Sequence, residues 1–174
     1  MQIQIKIILT ISTIIFLSNC NNTVPEFDQE NAFKYLIEQC ELGPRNPDSN
    51  GYKQCLSYLQ KTLAGYADTV LLQPFVLDDL VNEKTYDLTN IIARFKADEP
   101  QQLLIGAHWD TRPWADEDPD LEKRFDPIIG ANDGASGVAV ILELARILND
   151  SPPPIGITLV LFDGEDMGRS AIPK

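Results

Sequence analysis

The chain has 174 residues and a formal net charge of −12, with 44% hydrophobic and 23% charged residues. That length supports one domain with a real core, and that composition excludes a disordered chain. Such acidity without a basic cluster excludes a protein built to hold nucleic acid or an anionic membrane surface, though it suits cations or simple solubility.

The first stretch reads as a targeting segment. Lys6 is a thin positive region, and Ile7 to Leu17 is an apolar run too short to span a bilayer. Leu17-Ser18-Asn19-Cys20 follows, so residues 1–19 are expected to be an export signal. A cysteine directly after the apolar core resembles a bacterial lipoprotein signal, in which Cys20 would be lipidated and become the new N-terminus. Asn19 departs from the small residue usual there, and an uncleaved anchor is the alternative. The expected location is therefore outside the cytoplasm, either periplasmic or lipid-anchored in the bacterial envelope. Contact with a membrane is expected only through that anchor. Residues 20–26 read as a tether, and 27–174 as part of a single domain.

Phe27 to Cys40 carries Phe33, Leu36 and Ile37 at helical spacing and stops at Gly43-Pro44. Tyr52 to Leu63 repeats the pattern with Leu56, Leu59 and Leu63. Cys40 and Cys55 flank the turn-rich "ELGPRNPDSNGYKQ". In an exported protein they could form a disulfide, with two buried free thiols as the alternative. Thr69 to Leu77 and Leu88 to Phe95 read as strands. The turn at Asp98-Glu99-Pro100 predicts a hairpin joining the second of these to the next strand. Leu103 to Ala107 is a continuous apolar run, as expected of a strand covered on both faces. Val138 to Leu148 is a strong helix, ended by Pro152-Pro153-Pro154, and Ile157 to Phe162 is a second fully apolar strand. This order predicts an α/β sandwich of three layers with a mixed, partly parallel central sheet.

In such a sheet, ligands bind at the carboxyl ends of parallel strands. His108, the only histidine, and Asp110 follow one apolar strand; Asp163, Glu165 and Asp166 follow the other. Asp133 lies in the crossover between them, at a loop-to-helix junction kept small by Gly130, Gly134, Ala135, Ser136 and Gly137. One imidazole with several carboxylates is a ligand set for Zn²⁺, which takes nitrogen and carboxylate oxygen at about 2.0–2.2 Å. Each group has a plainer reading: Asp133 as a helix N-cap, Glu165-Asp166 as an exposed turn, His108 as a structural histidine. Two adjacent acids after a buried strand nevertheless divide their labour readily, one toward a metal and the other toward substrate as a base. Asp110 is placed to orient the ring of His108 from behind.

"AHWDTRPWADEDP", "GANDGASGVAVILELAR" and "LVLFDGED" resemble the zinc aminopeptidase and glutaminyl cyclase superfamily, and "LGPRNPDS" is similar to its N-terminal loop. The resemblance implies a zinc exopeptidase-like fold and Zn²⁺ as cofactor. Asp133 and Asp166 would be zinc ligands and Glu165 the general acid/base. His108 would ligate a second zinc in the two-metal enzymes or stand nearby in the one-metal cyclases. "FDGED" and "RPWADEDP" look more like the bacterial glutaminyl cyclases. The implied activity is a glutaminyl-peptide cyclotransferase acting on peptide or protein N-termini, forming pyroglutamate and releasing ammonia. A zinc aminopeptidase is the alternative, and a non-catalytic surface lipoprotein that keeps the fold is a third reading. The superfamily's further histidine ligand lies downstream of these motifs, and the chain ends at Lys174 with His108 as its sole histidine. The expectation is a C-terminally truncated domain that is inactive as this chain.

Overall fold

The computed structural model describes residues 25–80 and 83–168. Cys20 and the expected export signal lie outside them. Helix α1 spans Gln29–Glu41, and Asp28 caps it by accepting from the Asn31 N–H. Helix α2 spans Asn50–Ala64 behind Ser49, whose hydroxyl accepts from the Tyr52 N–H. Gly51 lets α2 begin close under the preceding loop, because a Cβ there would stand 2.3 Å from the Pro44 carbonyl oxygen. Strands β1 (Thr69–Asp79), β2 (Lys84–Phe95) and β3 (Gln102–His108) follow, then helix α3 (Ser136–Asp150) and strand β4 (Gly156–Phe162).

The sheet order is β1-β2-β4-β3. β1 and β2 pair antiparallel, β2 and β4 antiparallel, and β3 and β4 parallel. This is the expected mixed sheet, with one correction. The turn at Asp98-Glu99-Pro100 does not close a hairpin, because β4 inserts between β2 and β3. The crossover through α3 brings in an apolar strand that needs hydrogen-bonding neighbours on both edges, and it takes the position a hairpin would have filled. The hairpin of this sheet is β1–β2.

Alternation along the strands decides which face is buried. Ile91, Ala93 and Phe95 of β2 and Ile157, Leu159 and Leu161 of β4 point into one core with Leu59, Leu63, Val138, Leu142 and Ala145 of the helices. Among the described residues the helices cover this one face, so that sheet and helices together make two of the expected three layers. On the other face Leu71, Phe75, Leu104 and Phe162 are exposed. β3 is thus open on that face and not covered on both sides as its apolar run suggests. No helix among the described residues is long and apolar enough to cross a membrane.

The possible Cys40–Cys55 bridge is not formed, and both are free thiols. Cys55 is wholly buried in the core cluster, where burial pushes its thiol up to about 12. It acts there as a small hydrophobic side chain.

Candidate functional site

β3 and β4 run parallel in register, His108 opposite Phe162, so both carboxyl ends open on one rim. The Trp109 N–H donates to the Phe162 carbonyl at 2.9 Å, carrying the pairing one residue further. The Trp109 side chain is buried beneath the rim, its indole N–H reaching the Thr89 carbonyl at 3.2 Å and its ring 4.6 Å from that of Tyr52.

Asp133 is not a helix cap. The turn Ala131–Ala135 departs from helical geometry at Asp133 and at Gly134, whose φ is +86°. This kink turns the Asp133 carboxylate to His108, with 2.8 Å between Oδ1 and Nε2. Gly134 is what lets the junction come so near: a Cβ there would stand 3.0 Å from the Asp110 carbonyl oxygen and 3.2 Å from His108 Cε1. On the other side of the ring, Nδ1 lies 3.4 Å from Asp110 Oδ1 and 3.8 Å from Glu165 Oε2. Among the described residues it makes no hydrogen bond of good geometry, so these contacts act as charge across a gap. The Asp110 carboxylate, helped by Asp133 and Glu165 and opposed by burial, raises His108 from 6.5 to about 9.

Asp110 does more than face the imidazole. It is fully buried, and its two oxygens accept the backbone N–H groups of Glu165 at 3.3 Å and Asp166 at 3.1 Å. One carboxylate therefore sets both the histidine and the acidic turn Glu165–Met167. That turn sends the neighbouring acids apart: the side chain of Glu165 is 64% exposed and that of Asp166 only 7%. Asp166 meets Arg112, 3.2 Å from Nη1 to Oδ1, while Arg112 also reaches Asp116 at 2.9 Å. Burial raises the Asp166 carboxyl above its usual range, with the nearby charge of Asp133 adding to the rise and Arg112 opposing it. Asp163, singled out with the same acidic run, points away from the rim. Its Oδ2 accepts from the Tyr52 hydroxyl at 2.5 Å and the Thr89 N–H at 2.6 Å.

His108 and Asp133 meet directly at the rim, a nitrogen and a carboxylate oxygen of the kind zinc takes. Asp166 has a buried oxygen, Oδ2, without a hydrogen-bond partner among the described residues, as a waiting ligand would. Its other oxygen is held by Arg112, and among the described residues no three His, Cys, Asp or Glu side chains form a closed metal-holding set. The residue chemistry fits zinc, with the third arm engaged by a guanidinium. Two residues of this site were not singled out from sequence, Arg112 and Arg45. Arg112 could have been found as a cation lodged between two acidic runs. Arg45 stands in the "LGPRNPDS" loop, with nothing local to mark it.

This α/β fold, a mixed four-stranded sheet with helices on one face and one imidazole beside divided acids at the carboxyl rim, matches solved zinc exopeptidase and glutaminyl cyclase structures. Residues 90–170 match Peptidase family M28. The chain is similar to the crystal structure of Tannerella forsythia glutaminyl cyclase, with 37% identity and a TM-score of 0.82 over 84% of this chain and 50% of that one. It is likewise similar to a Zn-dependent exopeptidase from Parabacteroides distasonis, with 36% identity and a TM-score of 0.83 over 87% of this chain and 52% of that one. Bos taurus glutaminyl-peptide cyclotransferase is 27% identical, over 83% of this chain and 39% of the bovine protein. The chain thus spans about half the length of the two bacterial structures.

Proposed function

We propose that this domain serves a zinc-dependent glutaminyl-peptide cyclotransferase-like enzyme. The observation that carries an enzymatic reading is the division between exposed Glu165 and buried Asp166. A surface that only binds has no need of one carboxylate held toward solvent and its neighbour buried beside a histidine and an aspartate. The cyclase branch is supported by the likeness to the Tannerella forsythia enzyme.

We take His108, Asp133 and Asp166 as the residues to hold zinc, so that His108 ligates here where the resemblance alone would leave it beside the metal of a one-metal cyclase. When bound, zinc supplies a Lewis acid for the side-chain amide carbonyl of an N-terminal glutamine. Glu165 accepts a proton from the attacking α-amine. The new bond joins the α-nitrogen to the side-chain carbonyl carbon, and the bond from that carbon to the amide nitrogen breaks. Glu165 returns the proton to the departing nitrogen, so pyroglutamate and ammonia leave and no external water is consumed. Asp110 holds the Glu165 backbone and so fixes where that carboxylate reaches.

The likeness to the Parabacteroides distasonis exopeptidase favours a second reading, a zinc aminopeptidase in which Glu165 activates water for peptide hydrolysis. The two are separated by incubating a form that spans the full length of these relatives with glutamine-initiated peptides and with leucine anilides. Ammonia release with little anilide cleavage supports the cyclase; the reverse profile gives the site to the aminopeptidase. We place this enzyme outside the cytoplasm, anchored by lipid on Cys20 and acting on peptide or protein N-termini. Palmitate should label the protein, and Cys20→Ala should abolish the label; unchanged labelling would refute the anchor.

A further inference from the structure

Arg45 is wholly buried and, among the described residues, its guanidinium meets backbone carbonyls and no carboxylate. Its guanidinium donates to three backbone carbonyls: Nε to Trp109 at 3.0 Å, Nη1 to Ile129 at 2.9 Å and Nη2 to Gly130 at 3.0 Å. Its own backbone N–H donates to Thr111 Oγ1 at 2.8 Å. The carbonyls belong to two segments far apart in sequence. One begins directly after His108; the other ends directly before the kinked turn that carries Asp133.

We propose that Arg45 is the positioning residue that sets the separation of His108 from Asp133. Three observations lead there. A buried cation is costly, and neutral donors could satisfy carbonyls without that cost. What a neutral side chain cannot match is a rigid planar fork that spans two backbones at fixed distance. The crossing it holds has no slack. Gly130 has φ +60°, and a Cβ there would stand 2.4 Å from the Asp133 carbonyl oxygen, 2.5 Å from Thr111 Cγ2 and 3.3 Å from Arg45 Nη2. The cation also lies within electrostatic reach of Asp110, and so offsets part of the negative charge packed against His108. Arg45 touches neither the reacting atoms nor the ligands; it acts through the loops that carry them.

The inference rests on reading His108 and Asp133 as a metal-holding pair, and the test separates the two. Since His108 is the only histidine, its imidazole gives a single set of NMR signals. In metal-free protein the Nε2–H bonded to Asp133 is read directly, and zinc affinity is measured in parallel by competition with a chromophoric chelator. Arg45→Lys keeps the cation and loses the fork. It should fold cooperatively, shift or lose the Nε2–H signal, and bind zinc about 10–100-fold more weakly, the usual effect of removing a group that supports ligands. Thr111→Val loosens the same anchor with less disturbance and should move both readouts in the same direction by less; it stands as the test should Arg45→Lys not fold. An unchanged His108 signal in a folded variant overturns the inference, whatever happens to stability. A wild-type protein that binds no zinc removes the metal reading instead, and the His108 signal still decides whether Arg45 sets the pair.

Discussion

His108 Nε2 lies 2.8 Å from Asp133 Oδ1, while Nδ1 of the same ring faces Asp110 Oδ1 at 3.4 Å. An imidazole between two carboxylates holds its proton. With His108 raised from 6.5 to about 9, the sign of its effect on stability is fixed. The contribution is fully present below pH 6.5 and is lost as pH rises through 9. Proton-detected titration of the lone imidazole in metal-free protein should show the elevated midpoint. Asp110→Asn should lower it more than Asp133→Asn, because Asp110 is the larger cause. Zinc should displace the proton, so its apparent affinity should rise with pH up to the same midpoint. A midpoint near 6.5 in metal-free protein contradicts the arrangement.

Gly134→Ala should disturb the site from its backbone. Gly134 adopts φ +86° and ψ −52°, a region closed to residues with a Cβ. The added methyl would also meet His108 Cε1 at 3.2 Å and the Asp110 carbonyl at 3.0 Å. The expected cost is at least about 1–2 kcal/mol in denaturant unfolding, together with a shifted His108 signal. A neutral effect on both would show that the junction does not need glycine.

Much of this geometry was legible because it follows from periodicity. The apolar runs 103–107 and 157–162 lie within β3 and β4, and "VAVILELARIL" lies within α3, since each must bury its stripe against the others. Pairing was less legible. Asp98-Glu99-Pro100 makes a turn, but a turn does not say which strand comes back beside which, and β4 arrived from further along the chain. Asp133 carries the same lesson on a smaller scale. An Asp before a helix favours capping, yet two residues with non-helical φ/ψ turn it to His108 instead. Arg45 was invisible because its partners are backbone carbonyls supplied by remote segments, and Arg112 gave only its place between acidic runs, with Asp116 at i+4 and Asp166 far along the chain.

Asp163 offers a second pH window. Burial raises its carboxyl from 3.8 to about 6, against the hydrogen bonds from Tyr52 and Thr89 that favour the charged form. A raised acid makes the folded state bind the extra proton. Stability should therefore fall as pH rises from 3.8 to 6, with the full penalty present above that window. Asp163→Asn keeps an oxygen for Tyr52 and Thr89 and cannot ionise. Thermal melts across this window should lose a pH dependence on the order of 3 kcal/mol. A variant whose pH profile matches the wild type would assign that dependence to other groups.

The acidic pair permits the sharpest separation of fold from chemistry. Glu165 projects its side chain to solvent, and the turn holds it through its backbone N–H to Asp110, which a glutamine keeps. Glu165→Gln should therefore leave stability within about 0.5 kcal/mol. It should also leave zinc affinity near wild type, because the three proposed ligands are untouched. In a form that spans the full length of its relatives, turnover should fall by about 10²–10⁴, the contribution of a positioned general base. Asp166 differs on each count. It is buried, it faces the Arg112 guanidinium, and its second oxygen is the proposed ligand. Asp166→Asn leaves Arg112 with a neutral partner and should cost about 1–3 kcal/mol on unfolding, with zinc affinity lost beside it. Steady-state kinetics, chelator competition and urea unfolding on the two variants give three independent readouts. If Glu165→Gln weakens zinc as strongly as Asp166→Asn, or leaves turnover intact, the assignment of base and ligand between these neighbours is wrong.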